Sequence, residues 1–390
     1  MTAMLLGSDV LFERQLLRGR TVGIVCNPAS VDAQFRHVLQ RAETAGVTVG
    51  AIFGPQHGLQ SNLQDNMIES PHTKDARRQV PVYSLYSETR EPTAAMLQGL
   101  DALVVDLQDV GTRIYTYIYT MANCLRAGAR HGIPVVVCDR PNPIDGVTVE
   151  GPMLVPGHES FIGLFPIPMR HGMTIGELAR LFNEHFGIGA KLEVVKMQGW
   201  QRTQYLDETG LPWVIPSPNL PTLDAAVVYP GTVLFEGTNV SEGRGTTKPF
   251  ELIGAPWITD PDGFAASLNA VALPGVHFRA HAFEPTFQKH ARVTCGGVQM
   301  HVTDRRIFPA VEAGVVLLDA FRRADASAFA WREPPYEYEY VKRPIDILSG
   351  SPRLREALES GVDPRSLAAE WRHAVTDFMQ VRERFLAYPS

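Results

Sequence analysis

Cysteine is scarce in this chain, and none of it is paired. Cys26, Cys124, Cys138 and Cys295 are the whole supply. They stand far apart with no CxxC, and three fall in or beside apolar stretches, as small buried hydrophobes do. That spacing argues against both a zinc site and a disulfide framework. Long hydrophobic runs are missing as well, since nothing approaches the ~18 uncharged apolar residues that a membrane helix needs. Residues 1–20 mix Asp9, Glu13 and arginines into their apolar positions, unlike the basic-then-apolar plan of a secretory signal. A cytoplasmic location with no membrane partner is the expectation. The net charge is −6 with no cluster of lysines, so the cationic footprint of a nucleic-acid binder is lacking too. A small-molecule partner is expected, and oligomeric state leaves no mark in the sequence.

The usual cofactor fingerprints are also absent. The first strand-like run ends in Asn27-Pro28-Ala29-Ser30 and not in GxGxxG, which removes support for a dinucleotide site. The stretch around Gly237 and Gly243 has almost the spacing of a phosphate-binding loop. However, five residues separate the two glycines where four are needed, and Arg244 stands where lysine is required. Asn239-Val240-Ser241 fits the glycosylation pattern, which carries no weight without a secretion signal. No HExxH and no nucleophile elbow occur. No cofactor and no metal are expected.

What is present is an ordinary globular composition, 45% apolar and 20% charged, spread over 390 residues. That length exceeds the ~250–300 residues at which a single core stops growing, so two domains sharing a cleft are expected. In the first half, β-branched runs at 21–26, 47–53, 102–107 and 134–138 alternate with helical patterns. This is the rhythm of an α/β fold with a parallel sheet covered on both faces. Thr174 and Glu177 have capping-box spacing, and Ile175, Leu178, Ala179 and Phe182 share one face of a helix that Gly187 should stop. Runs at 192–197 and 225–229 read as two further strands. From about Ala255 the texture changes to a Pro-bounded helix, an alternating segment at 292–304 broken by Gly296-Gly297, and helices near 309–323 and 366–386, with a Tyr-rich stretch at 334–340. The division expected is an α/β domain over 1–254 that carries most of the site, and a smaller α+β domain over 255–390 that closes the cleft.

In open parallel sheets ligands sit beyond the carboxyl ends of the strands, and there the sequence is polar. Asp106 and Asp109 precede Arg113 on a turn made possible by Gly111. A carboxylate here is either a base or sugar holder, or half of a structural ion pair. Tyr115, Tyr117 and Tyr119 alternate, which suits either stacking on a sugar ring or core packing. In Asp139-Arg140-Pro141-Asn142-Pro143 the two prolines fix the turn. Its side chains either meet a ligand or cap backbone groups. His57 and His171 lie on loops where an imidazole is a site residue or a structural hydrogen-bonder. The densest polar run holds Glu236, Asn239, Glu242, Arg244 and Lys248 with three glycines, and it cannot be core. Many carboxylates, amides, arginines and aromatics without a cofactor signature suit carbohydrate chemistry, in which paired carboxylates divide acid and base roles.

Six strings carry a more specific signal: Gly54-Pro55-Gln56-His57-Gly58, Asp106 to Arg113, Asp139 to Pro143, Arg170-His171-Gly172-Met173-Thr174, Pro216-Ser217-Pro218-Asn219, and Glu236 to Phe250. In that order, from about Leu17 to beyond Thr303, they closely resemble the exo-β-N-acetylmuramidase family of bacterial cell-wall recycling, glycoside hydrolase family 171. The resemblance implies a Rossmann-like sheet domain, a smaller C-terminal domain and a cleft between them. It also implies release of terminal N-acetylmuramic acid from the non-reducing end of peptidoglycan fragments, such as a muropeptide or muramyl disaccharide, without a cofactor.

On that resemblance Glu242, Asp109 and Glu69 are expected to divide the acid and base roles, with His57 beside them. Arg113 and Arg244 would take the lactyl carboxylate, since a guanidinium fork matches it. Asn142, Asn219, Asn239 and His171 would bind hydroxyls and the N-acetyl group, and Gln56, Asp106, Tyr115, Tyr117, Asp139, Arg140 and Glu236 would complete the wall. One position departs from the pattern. Many members carry Pro-Glu-His-Gly where this chain has Pro55-Gln56-His57-Gly58, and an amide cannot exchange a proton at neutral pH. Either another carboxylate such as Glu69 substitutes, or the chain is a non-catalytic muropeptide or amino-sugar binder.

Overall fold

The computed structural model describes residues 4–64 and 67–389. In the first half run β1 (Thr21–Val25), β2 (Thr48–Gly54), β3 (Thr73–Lys74), β4 (Pro81–Ser84), β5 (Ala102–Val105) and β6 (Val135–Cys138). A small pair, β7 (Glu150–Met153) and β8 (Pro168–Arg170), precedes β9 (Leu192–Val195). Seven of these form one sheet in the order β3-β4-β2-β1-β5-β6-β9, parallel except where β3 meets β4.

The period-2 alternation of strands sorts each run between two layers. Val22, Ile24, Ala102, Val104, Val136 and Cys138 pack with Val10, Leu11, Val38 and Leu39 of the helices Gly7–Glu13 and Val38–Thr44. Their neighbours Val25, Leu103, Val105, Val135 and Val137 join the larger core under the helices Tyr117–His131 and Ile175–Arg180. Each such fully buried valine or leucine contributes roughly 1.5–3 kcal/mol, which is why the strands carry apolar residues at nearly every position. The helix at Thr174 has the full capping box, Thr174 accepting from the Glu177 amide and Glu177 from the Thr174 amide. Gly187 follows at φ 75°.

One expected strand is a helix. Residues 225–229 lie inside Leu223–Thr232, whose N-cap Thr222 accepts from the Ala225 amide. A short apolar run fits either period, and this helix is buried from Ala225 to Thr232, so it shows no polar stripe to give it away. It packs beside the long helix Ala310–Ala324.

The second sheet is antiparallel: β10 (Leu252–Ala255), β11 (Val276–Phe283) and β12 (Cys295–Val302), with β12 in the middle. Gly296-Gly297 does not break β12. Residue 297 faces Gly254, and a Cβ there would lie 2.1 Å from the Ile253 carbonyl oxygen, so the glycine allows close strand approach. The expected boundary at residue 254 falls within β10. The closing helix, Pro364–Glu383, returns to the first half of the chain: Leu367, Trp371 and Phe378 join the main core, and Arg382 donates to the carbonyls of Gly146 and Gly172. Among the described residues no helix is long and apolar enough to cross a membrane.

Candidate functional site

The carboxyl ends of β1, β2, β5 and β6 lie level in register, so the segments that follow them emerge on one edge of the sheet. Gln56 and His57 follow β2, and Ile114 to Tyr117 lead into the helix Tyr117–His131. These residues meet Ser217, Asn219, Glu236, Arg244 and Phe250 from the middle of the chain and Tyr336 and Glu337 from near its end, around a pocket that is partly open to solvent. Asn27, just after β1, fills the crevice behind it by donating to Tyr117 Oη (2.9 Å) and the Pro216 carbonyl (2.8 Å).

On one wall the amide of Gln56 has a defined orientation. Thr116 Oγ1 donates to its Oε1 (2.6 Å), and its Nε2 donates to Tyr86 Oη (3.2 Å) and to Glu337 Oε1 (3.2 Å). Tyr86 Oη in turn donates to Glu337 Oε2 (2.8 Å). Burial pushes the Glu337 carboxyl up to about 7; the Tyr86 bond opposes this and the nearby Glu236 adds to it. His57 is held by the Leu63 carbonyl, 2.6 Å from Nδ1, which puts its proton on Nδ1. Burial lowers its pKa to about 4, so the ring is neutral at pH 7.

The opposite wall is ionic. Arg244 lies 2.6 Å from Glu236 Oε1 and over the Phe250 ring at 5.5 Å, and Tyr336 Oη donates to the other Glu236 oxygen. Behind it Glu242 contacts both Arg244 (3.6 Å) and Lys289 (2.7 Å). Burial alone would raise the Glu242 pKa, but Lys289 and then Arg244 outweigh it and hold it below the usual range. The glycines make this loop: Gly243 has φ 77°, and a Cβ there would lie 2.6 Å from the Leu252 carbonyl oxygen.

Of the residues singled out from sequence, Gln56, His57, Tyr115, Tyr117, Asn219, Glu236 and Arg244 line this pocket. The others stand elsewhere. Asp106 and Arg140 form a buried ion pair at 2.6 Å. Asp139 accepts from Thr174 Oγ1, the Gly176 amide and Tyr388 Oη; burial and then Glu177 push its pKa up to about 7. Asn142 bridges Met173 and Ile144 backbone groups, and Asn239 bridges Ala328 and Ala330. Arg113 is fully buried and donates to the carbonyls of Pro152, Ile167 and Leu348, and burial lowers its pKa to about 10. His171 Nε2 lies 3.2 Å from Asp109 Oδ2, and Asp109 also accepts from the Gly111 amide. Glu69 is exposed and meets Tyr338 Oη at 3.3 Å. Glu242, Asp109 and Glu69 are therefore outside the pocket lining.

Sequence reasoning missed Glu337 and Tyr336, although it noted the Tyr-rich stretch that carries them. The alternation Tyr336-Glu337-Tyr338-Glu339-Tyr340 holds no Gly, Asn or Asp to mark a turn. In the structure Tyr336 and Glu339 exchange both backbone hydrogen bonds at 2.9 Å, and the two residues between them, Glu337 and Tyr338, have φ of 46° and 65°. Among the described residues no group of three or more His, Cys, Asp or Glu is placed to hold a metal.

Comparison with known proteins agrees with this two-part architecture. Residues 22–224 match the family model described as "Exo-beta-N-acetylmuramidase NamZ, N-terminal", and residues 227–388 match its C-terminal counterpart. The chain is 44% identical over 386 residues to the peptidoglycan beta-N-acetylmuramidase NamZ of Bacillus subtilis (strain 168), covering 98% of this chain and 91% of that protein. Two crystal structures of DUF1343 family proteins from Bacteroides fragilis NCTC 9343 superpose over the full length of both chains. BF0371 does so with a TM-score of 0.88 at 32% identity and BF0379 with 0.80 at 28%. With both halves matched in order and a relative this similar along its length, the chain belongs to the exo-β-N-acetylmuramidase NamZ family.

Proposed function

We propose that this chain is a glycoside hydrolase that releases terminal N-acetylmuramic acid from the non-reducing end of peptidoglycan fragments. The observation that carries the reading is the 44% identity over 98% of the chain to a peptidoglycan beta-N-acetylmuramidase. The pocket supports it chemically. It combines a carboxyl with raised proton affinity, a second carboxylate paired to a guanidinium, and aromatic and amide groups suited to a sugar ring.

In this reading Arg244 takes the lactyl carboxylate, because its fork reaches the pocket whereas that of Arg113 is engaged with three carbonyls. Tyr115 and Tyr117 face the ring and Asn219 its polar substituents. Glu242 acts from behind by fixing Arg244. The substrate is a muramyl disaccharide or muropeptide, and the four buried thiols suit a cytoplasmic setting. A second reading, a muropeptide binder without turnover, is favoured by the amide at Gln56.

The deciding experiment is to incubate the protein with N-acetylmuramyl-β-1,4-N-acetylglucosamine and analyse the products by mass spectrometry. Free N-acetylmuramic acid is the expected result. Intact disaccharide that nevertheless raises thermal stability would favour the binder.

A further inference from the structure

The amide at Gln56 has no proton to give, yet it sits one hydrogen bond from a carboxyl contributed by a distant part of the chain. Glu337 reaches the same wall of the pocket from a tight turn 281 residues away, with Oε1 at 3.2 Å from Gln56 Nε2 and Oε2 at 2.8 Å from Tyr86 Oη. We propose that Glu337 is the proton donor of this pocket, delivering its proton to the glycosidic oxygen of the departing sugar. The inference rests on the hydrolase reading above and names the group that performs its acid step.

Two independent features of the turn support it. First, Glu337 and Tyr338 both have positive φ between the paired backbones of Tyr336 and Glu339. This is the pattern of a type I′ turn, which normally selects Asn-Gly. Holding two residues with full side chains there costs about 1–2 kcal/mol each, and such strain persists where the surroundings over-determine it, typically at functional sites. Second, the surroundings do over-determine it. Arg90 stacks 3.8 Å from the Tyr338 ring centroid, and Tyr86 packs edge-on to the same ring. The turn thereby aims the Glu337 carboxyl into the pocket and keeps it there.

The chemistry balances without any further reactant than water. As the bond from C1 to the leaving oxygen breaks, its electron pair stays with that oxygen, which takes the proton from Glu337 and departs as an alcohol. Water bonds to C1 and gives a proton to the Glu236 carboxylate, and both carboxyl groups return to their starting states through solvent. The groups that set the proton affinity of Glu337 are Tyr86 and Gln56 through hydrogen bonds, and Glu236 and Arg244 through charge. They come from the segment after β4, the loop after β2 and the Gly-rich loop.

The test uses the full chain and Glu337→Gln, which keeps the shape and one of the two acceptor oxygens but cannot exchange a proton. With the muramyl disaccharide, kcat/KM is expected to fall at least about 100-fold. With a 4-nitrophenyl glycoside of N-acetylmuramic acid, whose leaving group needs no proton, the fall is expected to be less than about tenfold. Disaccharide cleavage within a few-fold of the parent overturns the proposal, and so does an equal loss on both substrates, which would mark a structural role. Gln56→Glu gives a second reading in a chain whose donor is intact. A like-charged neighbour should move the basic limb of the pH-rate profile upward, and an unmoved limb counts against the proposal. A parent chain inert on both substrates would instead bring down the hydrolase reading, which keeps the two failures apart.

Discussion

Arg244 is the side chain on which the pocket's charge balance turns, because it contacts Glu236 and Glu242 at once. Lysine would keep the charge but lose the fork that a lactyl carboxylate and Glu236 both need. For Arg244→Lys we expect KM for the muramyl disaccharide to rise about tenfold or more, with kcat changed less and the circular dichroism spectrum unaltered; an unchanged KM would remove Arg244 from lactyl recognition. Glu337 has a consequence for stability as well. Its folded pKa of about 7 lies above the ordinary carboxyl value of 4.5, so its contribution is fully present below the unfolded value and is lost as pH rises through 7. Replacing it with glutamine removes that loss. In urea titrations Glu337→Gln should be more stable relative to the parent at pH 8 than at pH 5, by up to about 3 kcal/mol. The opposite sign would mean that the carboxyl is not protonated in the folded state at neutral pH. His57 runs the other way: its pKa is lowered to about 4 by burial, so its contribution is present above pH 6.5 and fades as pH falls towards 4. Gln56, His57 and Arg244 were legible as polar residues after strands or in a Gly-rich run. Glu337 was not, because its role depends on contacts with Gln56 and Tyr86 that no local pattern records.

Among the elements, the helix Ile175–Arg180 shows how a motif that reads as a ligand site becomes a joint. Asp139, at the end of β6, accepts from Thr174 and from the Gly176 amide at the start of that helix, and from Tyr388 near the end of the chain. One carboxyl thus fastens a strand end, a helix N-terminus and the C-terminal segment. Asparagine retains an acceptor and a similar shape, so Asp139→Asn should cost less than about 1.5 kcal/mol at pH 8, whereas Asp139→Ala, which leaves four donors unmet, the Arg140 amide among them, should cost about 3 kcal/mol or more. Equal losses in chemical denaturation would argue against the hydrogen-bonding account. The strands of the large sheet were readable because every run had to feed two cores with alternate residues. The helix Leu223–Thr232 was not, since burial on all sides erased the stripe by which a helix announces its period.

At the scale of the whole molecule, composition anticipated an α/β half and a smaller α+β half, and both sheets exist. What the texture of the sequence could not express is how the halves interlock: the last helix packs against the first half, and one hydrophobic core runs through both. Arg113 draws out what this means for ligand traffic. Its guanidinium ties the segment after β5 to Pro152 in β7, to Ile167 beside β8, and to Leu348 in the helix Pro344–Ser349, which follows the Glu337 turn. A buried cation whose terminal nitrogens are held by main-chain oxygens of three segments works as a rivet between them, so these parts of the two halves should not hinge apart to admit a sugar. The radius of gyration from small-angle scattering should therefore be the same with and without saturating N-acetylmuramic acid, and a contraction on binding would contradict it. Such a preassembled socket forgoes the clamshell closure with which many two-lobed proteins shield their ligands, leaving exchange with solvent to the open side of the pocket.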